Sequence, residues 1–354
     1  MNKTPITPPL PLHPGLEGIV VAESRLTKVD GEAGELTLRG YPIASVAGKL
    51  PFEGALHLLW TGEWPTAAIL TDCRAELGAA RVRAFETLAT LGQALAQPDG
   101  MDALRAGLSH LRADNGGGDP IAACAATATL VAAWLRLRAG QTVIAPSAQA
   151  SHATDFLRMA GLDPTAETAR TLDAYLATVI DHGMNASTFA ARVVTSTGSD
   201  LISAVVAGVG ALKGPLHGGA PGPVLDMLDA IATPERAHTW LCNEVEAGRR
   251  IMGMGPRVYR VRDPRAAVLE VHARHLAKLP QHQSRIALAR AVELAAEQVL
   301  ANRYPTRQLR ANVEFYTALV LEAVGLPRTA FAPVFAIGRV AGWCAHIAEQ
   351  RQTG

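Results

Sequence analysis

A histidine set among glycines, in Lys213-Gly214-Pro215-Leu216-His217-Gly218-Gly219-Ala220-Pro221, is the segment of this chain best equipped for chemistry. Glycine lets the backbone come close to a ligand and reach positive φ. Histidine can donate or accept a proton near neutral pH. By itself the pattern is equally an interhelical turn that carries an incidental histidine. Upstream, Asp181-His182-Gly183-Met184-Asn185-Ala186-Ser187 places a second histidine beside a helix end, where a side chain can project into a cleft. Downstream, Arg257, Arg260, Arg262 and Arg265 crowd nine residues, preceded by Arg249 and Arg250. Such a cluster can bind carboxylate or phosphate groups bidentately, or can be a solvated basic face. Arg339 is more telling, because it is embedded in Phe335-Ala336-Ile337-Gly338-Arg339-Val340-Ala341-Gly342-Trp343. An arginine in an apolar helix is rarely buried without a charged partner or ligand. Glu314 follows Asn312, a good N-cap, so the helix dipole favours its ionised form. A carboxylate kept ionised there can act as a general base, or can simply complement the dipole.

The elements that must position these groups are mainly helical. Leu172, Tyr175, Leu176, Val179 and Ile180 recur at helical spacing and form one apolar face. Asp163 as N-cap with Pro164 at the first helical position predicts the start of that helix, and Gly183 its end. Further helices are expected over 52–60, 66–78, 80–96, 101–112, 119–138, 150–159, 186–212, 221–231, 234–247, 264–277, 284–300, 312–324 and 331–349. Strand signal is confined to the start, where 19–23 and 35–41 flank the turn signal Asp30-Gly31-Glu32-Ala33-Gly34. The predicted fold class is therefore mainly α with a small N-terminal β element. The Gly/Pro-rich stretch 214–223 and Gly325-Leu326-Pro327 are the best hinge candidates.

Composition narrows the function classes. Aromatic residues make up only 5% of the chain, so packing must rest on Ala, Leu and Val in close helix–helix contact. A net charge of +1 predicts no general attraction to nucleic acid or an anionic membrane, so any anion site must be a local cluster. Residues 1–14 hold five prolines and no apolar core, which does not read as a signal peptide. The nearly apolar run Ile121 to Leu135 is short for a membrane span and fits a buried helix better. Cys73, Cys124, Cys242 and Cys344 are widely spaced with no CxxC pair, so reduced thiols, no metal site and a cytoplasmic location are expected. His272 and His275, at i and i+3, read as surface histidines rather than metal ligands.

Taken in order, these segments closely resemble the citrate synthase family, together with Gly15-Leu16-Glu17-Gly18, Gly40-Tyr41-Pro42-Ile43 and Leu58-Leu59-Trp60-Thr61-Gly62-Glu63-Trp64-Pro65-Thr66. The resemblance runs from about Gly15 to Gln350. It implies an all-helical, two-domain subunit with a large domain of 1–218 plus 326–354. A mobile small domain of 219–325 would lie on the CoA side. It implies a homodimer, alone or with a catalytic paralogue, that takes an acyl-CoA and a 2-oxo dicarboxylate as small-molecule substrates. No cofactor would be tightly bound, since coenzyme A enters as a substrate thioester. By the same resemblance, His182, Arg265 and Arg339 hold the carboxylates of oxaloacetate. His217 stabilises the enol of the acyl-CoA, Glu314 removes its α-proton, and Arg257 and Arg260 bind the CoA moiety. The types suit the chemistry: two carboxylates need fixed cationic forks, and a developing enolate needs a preorganised donor.

The chain departs from the family pattern in places that matter. Where the family has Gly-x-Gly-His-Arg-Val-Tyr, with a histidine that polarises the keto group, this chain has Gly253-Met254-Gly255-Pro256-Arg257-Val258-Tyr259. Proline has no side-chain donor and no backbone N–H. Glu314 stands where the family has aspartate, which moves the carboxylate by roughly an ångström. Pro221 replaces a usual asparagine, and the chain stops at Gly354, before the tail that in the family carries another arginine to the neighbouring subunit. Three functions are therefore expected to compete. The first is condensation of an acyl-CoA with oxaloacetate or another 2-oxo acid, followed by thioester hydrolysis. The second is binding of a CoA thioester or carboxylate without catalysis, as a regulatory subunit. The third is enolisation or hydrolysis of an acyl-CoA without condensation.

Overall fold

In the computed structural model, residues 19–111, 118–218, 221–255 and 258–353 are described. Pro256 and Arg257 lie outside them, so the CoA-binding expectation for Arg257 cannot be placed. Among the described residues a three-stranded antiparallel sheet precedes fifteen α-helices. The strands are β1 (Thr27–Asp30), β2 (Glu35–Leu38) and β3 (Tyr41–Pro42). The helices are α1 (Ile43–Val46), α2 (Phe52–Thr61), α3 (Ala67–Thr87), α4 (Gly100–Leu108), α5 (Pro120–Arg138), α6 (His152–Ala160), α7 (Ala166–Thr178) and α8 (Ala186–Ser196). Then follow α9 (Leu201–Leu212), α10 (Pro221–Ile231), α11 (Ala237–Glu246), α12 (Pro264–Leu276), α13 (Pro280–Arg303), α14 (Val313–Ala323) and α15 (Phe331–Thr353). The fold class expected from the sequence holds.

Local chemistry sets most of the helix starts. Asp119 and Asp263 cap α5 and α12, each followed by proline at the first helical position. The same Asp-Pro signal misplaces the start of α7. There Thr165 is the cap and its side chain accepts from Thr168 N, because Asp163 and Pro164 lie outside the helix. The stretch expected as one helix over 186–212 is two helices, since Gly198 takes φ +80° and Asp200 caps α9 afresh by accepting from Ser203 N at 2.9 Å. Residues expected as two helices over 66–78 and 80–96 instead form continuous α3, followed by two short 3-10 turns. The hairpin forms, but its first strand is Thr27–Asp30 rather than 19–23, because Thr27 through Asp30 pair in register with Leu38 through Glu35.

The hairpin turn is docked rather than free. A Cβ on Gly31 would lie 2.3 Å from the Val258 carbonyl oxygen, and one on Gly34 would lie 2.2 Å from Val261 Cγ2. The two glycines therefore let the turn press against the loop that precedes α12. Arg260 N donates to the Gly31 carbonyl at 2.7 Å across the same contact.

Helix α7 is the spine of the molecule. Leu172, Ala174, Tyr175, Leu176 and Ala177 are fully buried, and the helix packs against α2, α6, α12, α14 and α15. The expected buried helix over 121–135 is α5, with twelve consecutive buried residues from Ala123 to Trp134. Both α5 and the Arg328–Thr353 segment are long and apolar enough to cross a membrane, but 67% and 89% of their apolar windows are buried inside the fold. His272 is buried rather than on the surface, with its Nε2 against Gly48, which corrects the expectation for that residue. Among the described residues no cluster of three or more metal-ligating side chains occurs.

One buried carboxyl beside α2 has a consequence for stability. Asp173 Oδ1 accepts from Phe52 N at 3.1 Å. Burial first, and then the Glu53 charge, push its pKa up to about 7. Between the ordinary value near 4 and about 7, the folded chain keeps a proton that the unfolded chain has released. Stability therefore falls as pH rises through that window and stays lower above it. Asp173→Asn should remove the decline and stabilise the protein at pH 8 by on the order of 1–3 kcal/mol. Thermal unfolding curves that remain parallel to wild type from pH 4 to pH 8 would refute this.

Candidate active site

His182 sits on the non-helical turn between α7 and α8. Beside it, Gly183 adopts φ +59° and Asn185 caps α8, its Oδ1 accepting from Ser187 N and Thr188 N at 3.1 and 3.2 Å. The turn is anchored from below by Asp181, whose Oδ2 accepts from Gly183 N at 3.2 Å, from His346 Nε2 at 3.3 Å and from the Thr27 hydroxyl. Burial raises the Asp181 carboxyl, but His346, Arg339 and Thr27 outweigh it and hold the group ionised, below the usual carboxylate range. Helix α15 approaches closely here because residue 342 is glycine. A Cβ would meet the Ile180 carbonyl oxygen at 2.3 Å. The His182 ring is held well below its ordinary pKa, first by burial and then by Arg265 and Arg339, so it is a neutral imidazole. Its Nε2 lies 2.8 Å from the Tyr259 hydroxyl.

His217 is carried by a tight loop at the end of α9, where His217 N donates to the Gly214 carbonyl at 2.8 Å. The loop folds back on the helix end: a Cβ on Gly218 would lie 2.3 Å from the Leu212 carbonyl oxygen. Its Nε2 is 2.9 Å from Ser187 Oγ. That hydroxyl already accepts from Trp343 Nε1 at 3.1 Å and lies 2.8 Å from Asn185 Oδ1. Ser187 has one proton for two acceptors. With that proton on Asn185, His217 carries its own on Nε2. With it turned to His217, the ring proton moves to Nδ1.

The two arginines come from different helices, α12 and α15. Asp263 caps α12 and grips Arg265 three ways, accepting from its N, Nε and Nη2 at 2.9, 3.1 and 2.8 Å. Burial lowers the Arg265 pKa, but Asp263 more than compensates, so the guanidinium stays charged. Arg339, 1% exposed, donates from Nε to the Val179 carbonyl at 2.7 Å and stacks its guanidinium 4.7 Å from the Phe335 ring centroid. Its Nη2 is buried with no hydrogen-bond partner among the described residues. Burial, reinforced by Arg265 and partly offset by Asp181, pushes its pKa down to about 10. It is still cationic at neutral pH, and Asp181 offsets only part of the cost of burying its charge.

Glu314 occupies the first turn of α14, capped by Asn312 Oδ1 at 3.1 Å from Glu314 N. Asn312 also fixes the neighbouring glycine loop, through Nδ2 to the Gly255 carbonyl at 3.1 Å and N to the Gly253 carbonyl at 2.9 Å. The Glu314 charge is near enough to Arg265 to favour its cationic form.

These groups meet at one cavity of about 260 Å³, lined by His182, His217, Arg265, Glu314 and Arg339. Five residues expected from sequence to do chemistry are thus brought together from five separate stretches of chain. The apolar part of the wall, including Leu216, Val258, Val313 and Phe335, was not foreseen. Nor were the supports Asp181, Ser187, Trp343 and His346. Asp181 and Ser187 flank His182 and Asn185 in sequence, and that adjacency was the one signal available. Arg260, expected to bind CoA, does not line this cavity. It forms an exposed ion pair with Glu32 at 2.8 Å, because its backbone is tied to the hairpin turn. A larger cavity of about 570 Å³ lies beside the end of α15, but it holds none of the five groups. Its Arg39 is spent on the Leu59 and Trp60 carbonyls.

Residues 15–354 match the family model described as "Citrate synthase, C-terminal domain". Citrate synthase of Deinococcus radiodurans is 37% identical over 349 residues, covering 96% of this chain and 92% of that protein. 2-Methylcitrate synthase of Mycobacterium tuberculosis is 35% identical over 345 residues, covering 95% and 86%. Among solved structures, citrate synthase from Thermotoga maritima superposes with a TM-score of 0.82 at 33% identity, covering 95% of this chain and 91% of that one. Citrate synthase from Thermoplasma acidophilum, solved as a ternary complex with carboxymethyl coenzyme A and oxaloacetate, gives a TM-score of 0.82 at 26% identity, covering 94% and 91%. With the family model matched over residues 15–354 and curated relatives 35–37% identical over nearly the whole chain, this chain belongs to the citrate synthase family.

Proposed function

We propose that this protein condenses an acyl-CoA, acetyl-CoA or a close homologue, with oxaloacetate or another 2-oxo acid, and then hydrolyses the thioester. The observation that carries the reading is the buried Nη2 of Arg339, without a hydrogen-bond partner among the described residues, in a cavity shared with Arg265, His217 and Glu314. A buried guanidinium with an unsatisfied N–H is costly unless an anion completes it, and two buried forks suit two carboxylates. Glu314 takes a proton from the acyl α-carbon, and His217 donates a hydrogen bond to the thioester oxygen as it gains charge. The enol carbon then forms the new C–C bond to the keto carbon, whose oxygen becomes the alkoxide and takes up a proton. Water attacks the thioester carbonyl and CoA leaves as the thiol. Residues 219–325 form the mobile part that closes over the CoA side, and the working unit is a homodimer.

Pro256 favours a second reading, a homologue that binds these ligands without turning them over. Thiol release, followed with acetyl-CoA and propionyl-CoA against oxaloacetate and other 2-oxo acids, separates the two. Condensation requires release that depends on both substrates. Binding with no release identifies the silent homologue, and release that ignores the 2-oxo acid identifies a thioester hydrolase.

A further inference from the structure

The reaction just proposed needs a donor to the keto oxygen, and position 256, where the family pattern puts that donor, is proline. The two buried arginines are matched to carboxylates, His217 is assigned to the thioester, and Asn185 Nδ2 is engaged by the Gly183 carbonyl at 3.2 Å, so His182 is free to serve the keto oxygen rather than the carboxylate that the family resemblance implies for it. Resting on that reading, we propose that Tyr259 is a positioning residue for His182: its phenol holds the imidazole in the Nδ1–H tautomer, and His182 thereby serves as the neutral hydrogen-bond donor to the keto oxygen.

The geometry supports each step. The Tyr259 hydroxyl lies 2.8 Å from His182 Nε2, and the two rings meet edge-on with centroids 5.6 Å apart. Tyr259 is 3% exposed, so the hydroxyl cannot simply turn to bulk water. The Arg265 guanidinium lies 5.9 Å from the Tyr259 ring centroid, which ties the phenol to the carboxylate clamp. A neutral imidazole has one proton and one lone pair. Among the described residues the Tyr259 hydroxyl has no acceptor besides His182 Nε2, so its proton is satisfied when the hydroxyl donates to that nitrogen. The lone pair is then on Nε2 and the ring proton on Nδ1. No proton need leave the phenol during condensation: the keto oxygen gains charge against the His182 N–H, and its final proton comes from water. Neutrality matters too. An imidazolium beside Arg265 and Arg339 would add a third cation to a buried cluster, whereas a neutral N–H stabilises an alkoxide at no such cost.

Tyr259→Phe keeps the ring and removes only the hydroxyl. In the full-length protein, 15N NMR of the imidazole nitrogens reads the tautomer directly, with the His182 signal assigned by its loss in His182→Gln. Wild type should show protonated Nδ1 and unprotonated Nε2, and Tyr259→Phe should shift population to Nε2–H. In steady-state assays kcat should fall about 10- to 100-fold, the size of one lost charge-assisted hydrogen bond. The KM for the 2-oxo acid should change less than threefold, because both arginines remain. Nε2–H in the wild type, or an unchanged tautomer in Tyr259→Phe, overturns the proposal, as does a kcat that does not move. If wild type proves inactive with every substrate pair, the functional reading fails by itself. The tautomer measurement still decides whether Tyr259 sets His182.

Discussion

Glu314→Gln is expected to abolish exchange of solvent deuterium into the acyl methyl group and to lower turnover by about 10²–10⁴-fold. The amide is nearly isosteric and can still be capped by Asn312, so folding should be untouched. What disappears is the lone pair that accepts the α-proton. Because the carboxylate contributes to the charged state of Arg265, some loss of order around that arginine is also expected. Two controls separate the effects. Thermal unfolding should match wild type within a degree or two, and calorimetric binding of oxaloacetate should be preserved or tightened, since a negative charge has left the site. The reach of the base offers a finer test. Glu314→Asp draws the carboxylate back by roughly an ångström, enough to change rate by about 10²-fold in either direction. If it rises, the glutamate is a handicap. If it falls, the longer side chain fits this chain's own substrate geometry. Exchange that persists in Glu314→Gln would falsify the assignment of Glu314 as the base.

Arg339→Met should separate stability from binding. In the free protein the guanidinium is buried, makes one hydrogen bond to Val179, leaves Nη2 unsatisfied and sits at a depressed pKa near 10. A flexible apolar side chain of similar length has no desolvation cost there. Against that gain stands the loss of a positive charge that helps hold buried Asp181 ionised, so the net change in stability is expected to stay within about 1 kcal/mol. Affinity for oxaloacetate should fall sharply, by roughly 2–5 kcal/mol, because a dianion would lose one of its two buried forks. A melting temperature close to wild type together with loss of binding is the signature of a residue kept for its ligand. Destabilisation with unchanged affinity would mean that Arg339 is structural and the anion sits elsewhere. Arg339→Lys should recover charge but not binding, since an ammonium cannot reproduce a planar fork.

Much of the site was legible in the chain because its residues carry local signals. Arg339 is conspicuous as a charge inside an apolar helix, and Glu314 as an acid two residues after a capping asparagine. His217 stands among glycines, one of which the fold needs against Leu212. The same signals misled where local chemistry competes with itself. Asp163-Pro164 reads as a helix start as well as Asp263-Pro264 does, yet only the second is one, because Thr165 offers its own cap two residues on. Arg260 belongs by sequence to the same basic run as Arg265. Its backbone hydrogen bond to Gly31 turns it to the hairpin and to Glu32, and no local pattern announces a contact more than two hundred residues away in the chain.

The amino-acid sequence by itself determined the helical fold class, the caps that aim Asn185, Arg265 and Glu314, and the identities of the five groups able to bind and move charge. Those depend on interactions within a few residues, where propensity, capping and periodicity act directly. Only the tertiary structure decided that the five share one cavity, that His182 answers to Tyr259 and His217 to Ser187, and that Arg339 is left with an N–H unpaired among the described residues. Those outcomes turn on distances across the packed core and on burial, which sets the cost of each charge. Neither quantity exists until α7, α12, α14 and α15 have closed on one another.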